Sequence, residues 1–160
     1  MGPLLKGENV KFIWFVLLIL ILGVMDLANA QGTLQIGIRD GLEKETGTVF
    51  IYLYKSKEEW KVDNGLEIAK VNVAGLRQGV TVSNLSPGLY AVSAFLDEDK
   101  NGELTATTIK ISGEKFSKPH EKVALSRIDG DLWATPDWEE LNFEVKEGES
   151  KRIELHFQNQ

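Results

Sequence analysis

The residues best suited to chemistry form an acidic loop that directly follows the most apolar stretch of the chain. Asp97, Asp99, Asn101 and Glu103 occupy alternate positions, and Gly102 precedes the last of them. This order matches the first half of a calcium loop of the D-x-[DN]-x-[DN]-G type, in which carboxylate and amide oxygens point at one ion and glycine permits a sharp turn. These four residues are therefore the candidate metal ligands, with calcium as the candidate ion and with Glu103 able to contribute through its backbone carbonyl.

The loop lacks a closing ligand of its own. Thr108 stands at the twelfth position, where an EF-hand has a bidentate glutamate. A closing carboxylate must then come from elsewhere, and Glu114 and Asp137 are the candidates. With few charged ligands, the expected calcium affinity is weak. The alternative is a plain solvated hairpin, because the Asn-Gly pair is a strong turn former by itself.

A second group of candidate residues lies in the irregular stretch from 112 to 137 and just after it. Trp133 and Trp138 occur there among Asp129, Asp131 and Asp137. Aromatic rings beside acids could bind a sugar or a peptide, so both tryptophans are candidate ligand-binding residues. The alternative is that the tryptophans close the ends of the hydrophobic core, since most tryptophans are highly buried.

Catalytic constellations are weak in this chain. Ser117 and His120 are three residues apart, but no glycine-flanked nucleophile or orienting acid accompanies them. We therefore expect a non-catalytic binding or structural module. The alternative from another class is a metal-dependent hydrolase that uses the acidic loop.

The first 30 residues have the order of a secretory signal peptide. Lys6 and Lys11 precede an apolar run from Phe12 to Met25, and the small-x-small sequence Ala28-Asn29-Ala30 stands just before Gln31. The run is shorter than the roughly 20 apolar residues of a membrane-spanning helix. We expect cleavage after Ala30 and a periplasmic or extracellular domain over 31–160. An uncleaved membrane anchor is the alternative.

Composition limits the partners of the mature domain. The leader contains equal numbers of basic and acidic residues, so residues 31–160 carry the whole net charge of −6. An acidic domain without a basic run is not expected to bind nucleic acid. The absence of cysteine excludes disulfides, thiol nucleophiles and thiolate metal sites. A cell-envelope glycan or protein remains as the expected partner, with no membrane contact once the leader is removed.

Alternating polarity predicts seven to nine short strands and no long helix, which indicates a single antiparallel β-sandwich preceded by the signal peptide. Leu89 to Leu96 is apolar on both faces and is therefore predicted to be a central strand. The apolar set shifts phase between Ile68 and Val71, which predicts a bulge or an edge strand. Ser56 and Glu59 have capping-box spacing and predict one helical turn. The predicted strands are 33–39, 48–54, 66–73, 79–85, 89–96, 104–111, 138–145 and 152–157. The irregular stretch 112–137 is either a functional loop or contains a short strand around 123–125.

The chain resembles a family of secreted bacterial proteins known as domain of unknown function 2141. The resemblance rests on the sequences of Gly32–Ile38, Leu85–Val92, Asp97–Leu104, Gly113–Ser117 and Pro136–Phe143. It implies an exported β-sandwich, comparable at the level of fold with transthyretin-like and carboxypeptidase-regulatory-like domains. It implies no activity, because the family has none established.

The chain departs from the family pattern next to the acidic loop. Where the family usually has aspartate after the leucine of the loop, this chain has Thr105. The family's G-Y-G-F sequence is also reduced here to Gly113-Glu114-Lys115-Phe116.

Overall fold

The computed structural model describes residues 31–111, 114–129 and 135–158, which belong to one compact unit, Gln31–Gln160. The predicted signal peptide lies outside the described residues. Among those described, no helix has the length and apolarity needed to cross a membrane. The strands are β1 (Gly32–Asp40), β2 (Thr48–Tyr54), β3 (Leu66–Asn72), β4 (Val80–Leu85), β5 (Gly88–Asp97), β6 (Ala106–Ile111), β7 (Glu114–Pro119), β8 (Val123–Leu125), β9 (Phe143–Val145) and β10 (Ser150–His156). The helices are α1 (Lys57–Lys61), α2 (Val73–Gln78) and α3 (Trp138–Leu141).

These strands form three sheets, so the fold is predominantly β, as expected. One sheet has the order β10-β1-β4, the second has the order β3-β2-β5-β8 with β9 also paired to β5, and β6 and β7 form a hairpin. Strands β1 and β10 are parallel, and the other pairs are antiparallel. The prediction of a wholly antiparallel arrangement was therefore wrong for this pair. Parallel neighbours need a long connection, and nearly the whole domain lies between these two strands.

Strand β5 is the central strand of the larger sheet, which confirms the prediction for Leu89 to Leu96. It pairs with β2 on one side and with β8 and β9 on the other. Val92 and Leu96 face the main core, whereas Phe95 packs on the opposite face. Side chains alternate along a strand, so Asp97, two residues beyond Phe95, follows it on that opposite face. This alternation brings the acidic loop to the outer face of the larger sheet.

The main core is shared by the two larger sheets. Leu34 and Leu155 come from the three-stranded sheet, Ile51 and Leu96 come from the five-stranded sheet, and all four are fully buried in one cluster. Strand β3 lies at the sheet edge, and its register with β2 shifts between Ile51 and Tyr52. The predicted bulge or edge position is therefore confirmed in both respects.

The outer face of the larger sheet is also largely covered. Phe50 and Tyr54 are buried and Tyr52 is half-buried, so the aromatic face of β2 is covered as well as its aliphatic face. The rings of Phe50 and Phe95 stack with centroids 5.0 Å apart. The hydroxyl of Ser56 accepts the N–H of Glu59 at 3.2 Å and starts α1, as its spacing predicted.

The segment 138–145 differs from the strand predicted there. Residues Trp138–Leu141 form α3, and only Phe143–Val145 form a strand. Asp137 is the N-cap, and the carboxylate of Glu140 accepts its N–H at 2.9 Å. This reciprocal capping satisfies backbone groups of a helical turn, so it outweighs the alternation of apolar residues in the sequence.

Candidate metal centre

Asp97 ends β5 and lies beneath the acidic loop. Its side chain is buried, with 6% of the residue exposed, and its Oδ2 accepts the N–H of Gly102 at 3.2 Å. Gly102 has φ +81°, a left-handed conformation in which glycine carries no steric cost. Gly102 thus permits the sharp turn that the loop sequence predicted, and this turn folds the loop back over Asp97.

The side chains of Asp99 and Asn101 brace this turn. Asp99 Oδ1 accepts the N–H of Asn101 at 3.1 Å, and Asp99 Oδ2 accepts Asn101 Nδ2 at 2.9 Å and Thr105 Oγ1 at 3.1 Å. Asn101 Oδ1 accepts the N–H of Glu103 at 2.6 Å. The amide oxygen of Asn101 is therefore engaged within the loop, and Glu103 is exposed. Of the four predicted ligands, only Asp97 and Asp99 come together in a carboxylate cluster.

The third member of that cluster is Glu121, between β7 and β8, which was absent from the predicted ligands. Carboxylate oxygens of Asp97, Asp99 and Glu121 lie within 4.8 Å of one another. Calcium binds oxygen at 2.3–2.6 Å, so two oxygens on one ion are at most about 5 Å apart. The three carboxylates are therefore close enough to share a single calcium ion.

Pairing between β5 and β8 explains the position of Glu121. The N–H of Leu96 donates to the carbonyl of Lys122 at 2.9 Å, which brings the preceding residue beside Asp97. Glu121 is 3% exposed, and its two oxygens accept the N–H groups of Glu98 at 2.8 Å and Thr105 at 3.0 Å. Glu121 thus fastens both ends of the acidic loop to the sheet.

One oxygen of the cluster has no partner among the described residues. Asp97 Oδ1 is buried and accepts no hydrogen bond from this part of the chain. Burying a carboxylate oxygen without compensation is costly, and a cation beside it would offset that cost. Among the ion pairs of the described residues, none reaches Asp97, Asp99 or Glu121. The local charge is therefore negative and suited to a hard cation with oxygen ligands.

The other predicted site residues lie apart from this cluster or outside the described structure. Glu114 opens β7, and its side chain is not among those described. Asp137 is engaged at the start of α3 and is not part of the cluster. Trp133 lies outside the described residues. Trp138 is 6% exposed and packs with Tyr54 and other apolar residues, so its ring is not open to a ligand.

Fold and site together define a predominantly β protein with a carboxylate cluster beneath a glycine-containing loop. The chain belongs to the DUF2141 family, described as an uncharacterized protein conserved in bacteria, whose model matches residues 36–154. The resemblance noted from the sequence is thereby confirmed, and the match includes the whole acidic loop and Glu121. No curated protein and no solved structure matches the chain.

Proposed function

We propose that this protein is an exported, non-catalytic β-sandwich module of the bacterial cell envelope that binds calcium through Asp97, Asp99 and Glu121. The observation that carries the calcium proposal is the buried, unpartnered Oδ1 of Asp97 within a cluster of three carboxylates. The shared core of the two larger sheets supports the sandwich. The partner that we propose is a cell-envelope glycan or protein.

The expected affinity is that of a weak extracellular site. Three carboxylates of the described residues converge, and Asp97 Oδ2 and both oxygens of Glu121 also accept backbone N–H groups. Backbone carbonyls and water would complete the coordination. Sites of this kind have dissociation constants of about 10⁻⁴ to 10⁻³ M.

Calcium is expected to raise the melting temperature of the mature protein by a few degrees. With a dissociation constant near 10⁻⁴ M, about 1 mM free calcium stabilises the folded state by about 1.4 kcal/mol. For a domain of this size, that corresponds to a shift of a few degrees. Magnesium should have a smaller effect, because it requires a tighter octahedral geometry and loses water reluctantly. Calorimetric titration and thermal melts in calcium, magnesium and chelator measure both effects.

A pair of charge-matched variants separates the cluster from the general acidity of the loop. Asp99→Asn removes a cluster carboxylate at an exposed position and should abolish the calcium response. In chelator it should lose less than about 1 kcal/mol, because the asparagine amide cannot accept every hydrogen bond that Asp99 accepts from Asn101 and Thr105, but these groups are exposed to water. Glu103→Gln removes the same charge from the same loop but outside the cluster, and it should retain the response. An identical melting temperature of the wild type in calcium and in chelator would reject the metal site.

Glu121→Gln is expected to act differently from Asp99→Asn. The glutamine amide cannot accept both backbone N–H groups, so the fold should lose about 1–3 kcal/mol even in chelator. Calcium binding should be lost as well. Full stability of this variant in chelator would show that Glu121 does not fasten the loop.

The export proposal predicts that the mature protein begins at Gln31 or at its cyclised form. Cleavage after Ala30 would remove the apolar run in a secreted product. Intact-mass measurement of exported protein tests this, and a mass that still includes residues 12–25 would contradict it.

Divalent-dependent hydrolysis that disappears in Asp99→Asn would contradict the non-catalytic assignment.

A further inference from the structure

A cleft of about 320 Å³ opens on the outer face of the larger sheet, on the same face as Asp97. Ser93 and Phe95 of β5 contribute to its lining from the sheet, and Trp60 of α1 and Leu104 contribute from the surrounding segments. Clefts of this volume, mostly apolar with a few polar groups, are typical of sites for small molecules. The cleft lies on the face of the sheet opposite the main core, where Phe95 and Val123 form a smaller buried cluster.

Two aromatic residues that line the cleft, Trp60 and Tyr54, carry polar groups that already have hydrogen-bond partners. Trp60 Nε1–H donates to the carbonyl of Pro136 at 2.9 Å. The Tyr54 hydroxyl donates to Asp63 Oδ1 at 2.8 Å and lies 3.3 Å from Ser93 Oγ. Burial is the main cause of the raised pKa of Tyr54. Its hydroxyl therefore remains protonated. A ligand therefore meets chiefly apolar surface here, and a sugar ring would find few free donors or acceptors.

Lys61 and Asp63 are the charged residues in the lining of the cleft, and Lys61 is the one of the two that can attract an anion. It is exposed, and the ion pairs within the described residues do not include it. Lys57 in the same helix pairs with Glu139 at 2.6 Å. The hydrogen bond from Lys57 is the main cause of the lowered pKa of Glu139, to which Lys61 adds a smaller contribution. Asp63, the acid in the lining, already accepts the Tyr54 hydroxyl.

We propose that this cleft binds a small amphipathic anion, with an aromatic or aliphatic body against Phe95 and Trp60 and a carboxylate beside Lys61. The unpaired cation supplies the charge complementarity, and the apolar lining supplies the contact area. Leu104, 43% exposed at the cleft, offers further apolar surface to such a body. This binding goes beyond the proposed calcium function and does not require it.

An isosteric series tests the chemistry of the ligand. We would titrate the mature protein, in calcium and in chelator, with 2-naphthoate, 2-naphthamide and 2-naphthylmethylamine, and follow backbone and indole resonances by NMR. The carboxylate should bind most tightly, the neutral amide about threefold more weakly, and the amine most weakly, since exposed ion pairs contribute modestly. Shifts should centre on Trp60 and Ser93. Equal affinity for the three compounds, or no shift of these resonances, would overturn the proposal.

Four variants test the location. Lys61→Gln should bind 2-naphthoate only as tightly as the wild type binds 2-naphthamide. Lys55→Gln changes an exposed lysine outside the cleft and should bind 2-naphthoate like the wild type. Ser93→Leu fills the cleft and should abolish binding. Leu104→Glu adds a negative charge at an exposed position and should weaken binding severalfold, which provides a test even if Ser93→Leu disturbs the fold. Unchanged naphthoate binding in Lys61→Gln or Leu104→Glu would place the ligand elsewhere and reject the proposal.

Discussion

Phe95→Ala is expected to lower the free energy of unfolding by about 3–5 kcal/mol, the usual cost of removing a buried phenylalanine ring. Phe95 is buried in the central strand, and it stacks on Phe50 at 5.0 Å and lies 6.3 Å from Tyr52 between ring centroids. Chemical denaturation in chelator measures the change, and the melting temperature should fall by about 10 °C or more.

Leu89→Ala is the matched control for this prediction. Leu89 is a large apolar residue of the same strand, but it is 48% exposed. Its truncation should cost less than about 1 kcal/mol, because little buried surface is lost. A loss below about 1 kcal/mol for Phe95→Ala would mean that the outer face of the sheet is not packed as described.

Gly41→Ala is expected to destabilise the fold by about 3 kcal/mol or more. Gly41 has φ +92°, and an added Cβ would lie 1.9 Å from the carbonyl oxygen of Phe157. A left-handed conformation costs a non-glycine residue about 1–3 kcal/mol, and overpacking adds a similar amount. The clash involves backbone that also donates a hydrogen bond, from Phe157 N–H to the carbonyl of Asp40 at 3.1 Å.

Gly102→Ala separates the two contributions to this effect. Gly102 also has a positive φ, +81°, but no heavy atom lies within 4 Å of an added Cβ. Measured in chelator, this variant should lose only the backbone strain of about 1–3 kcal/mol. If Gly41→Ala cost no more than Gly102→Ala, the close approach of Phe157 to Gly41 would be contradicted.

The central strand and two of the three members of the carboxylate cluster could be predicted because their signals are local. Leu89 to Leu96 is apolar at successive positions, which indicates burial on both faces. Asp97 and Asp99 stand at calcium-loop spacing before a glycine, and the structure brings their carboxylates together. Neither signal depends on which distant segment lies beside it.

Glu121 could not be predicted because its position depends on strand register. It lies 24 positions after Asp97, and the pairing of Phe95 with Val123 brings it beside the loop. A short strand around 123–125 was one of two interpretations of the irregular stretch, and its partner was not predicted. The parallel pairing of β1 with β10 depends in the same way on contacts between the ends of the domain.

The helix over Trp138–Leu141 was missed although a local signal exists. Asp137 and Glu140 have capping-box spacing, the same signal that correctly predicted α1 from Ser56 and Glu59. The apolar alternation of Leu141, Phe143 and Val145 favoured a strand and obscured it. The burial of Trp138 follows from this helix, which packs Trp138 and Leu141 onto Tyr54 and Leu125.

We propose that one calcium ion is held by Asp97, Asp99 and Glu121. The most direct measurement is a crystal structure of the mature protein grown in about 10 mM calcium, well above the expected dissociation constant. We expect an ion identified by its anomalous signal, about 2.3–2.6 Å from Asp97 Oδ1 and within coordination distance of Asp99 and Glu121. A water molecule at that position, or an ion bound to the exposed loop carboxylates without Asp97, would contradict it.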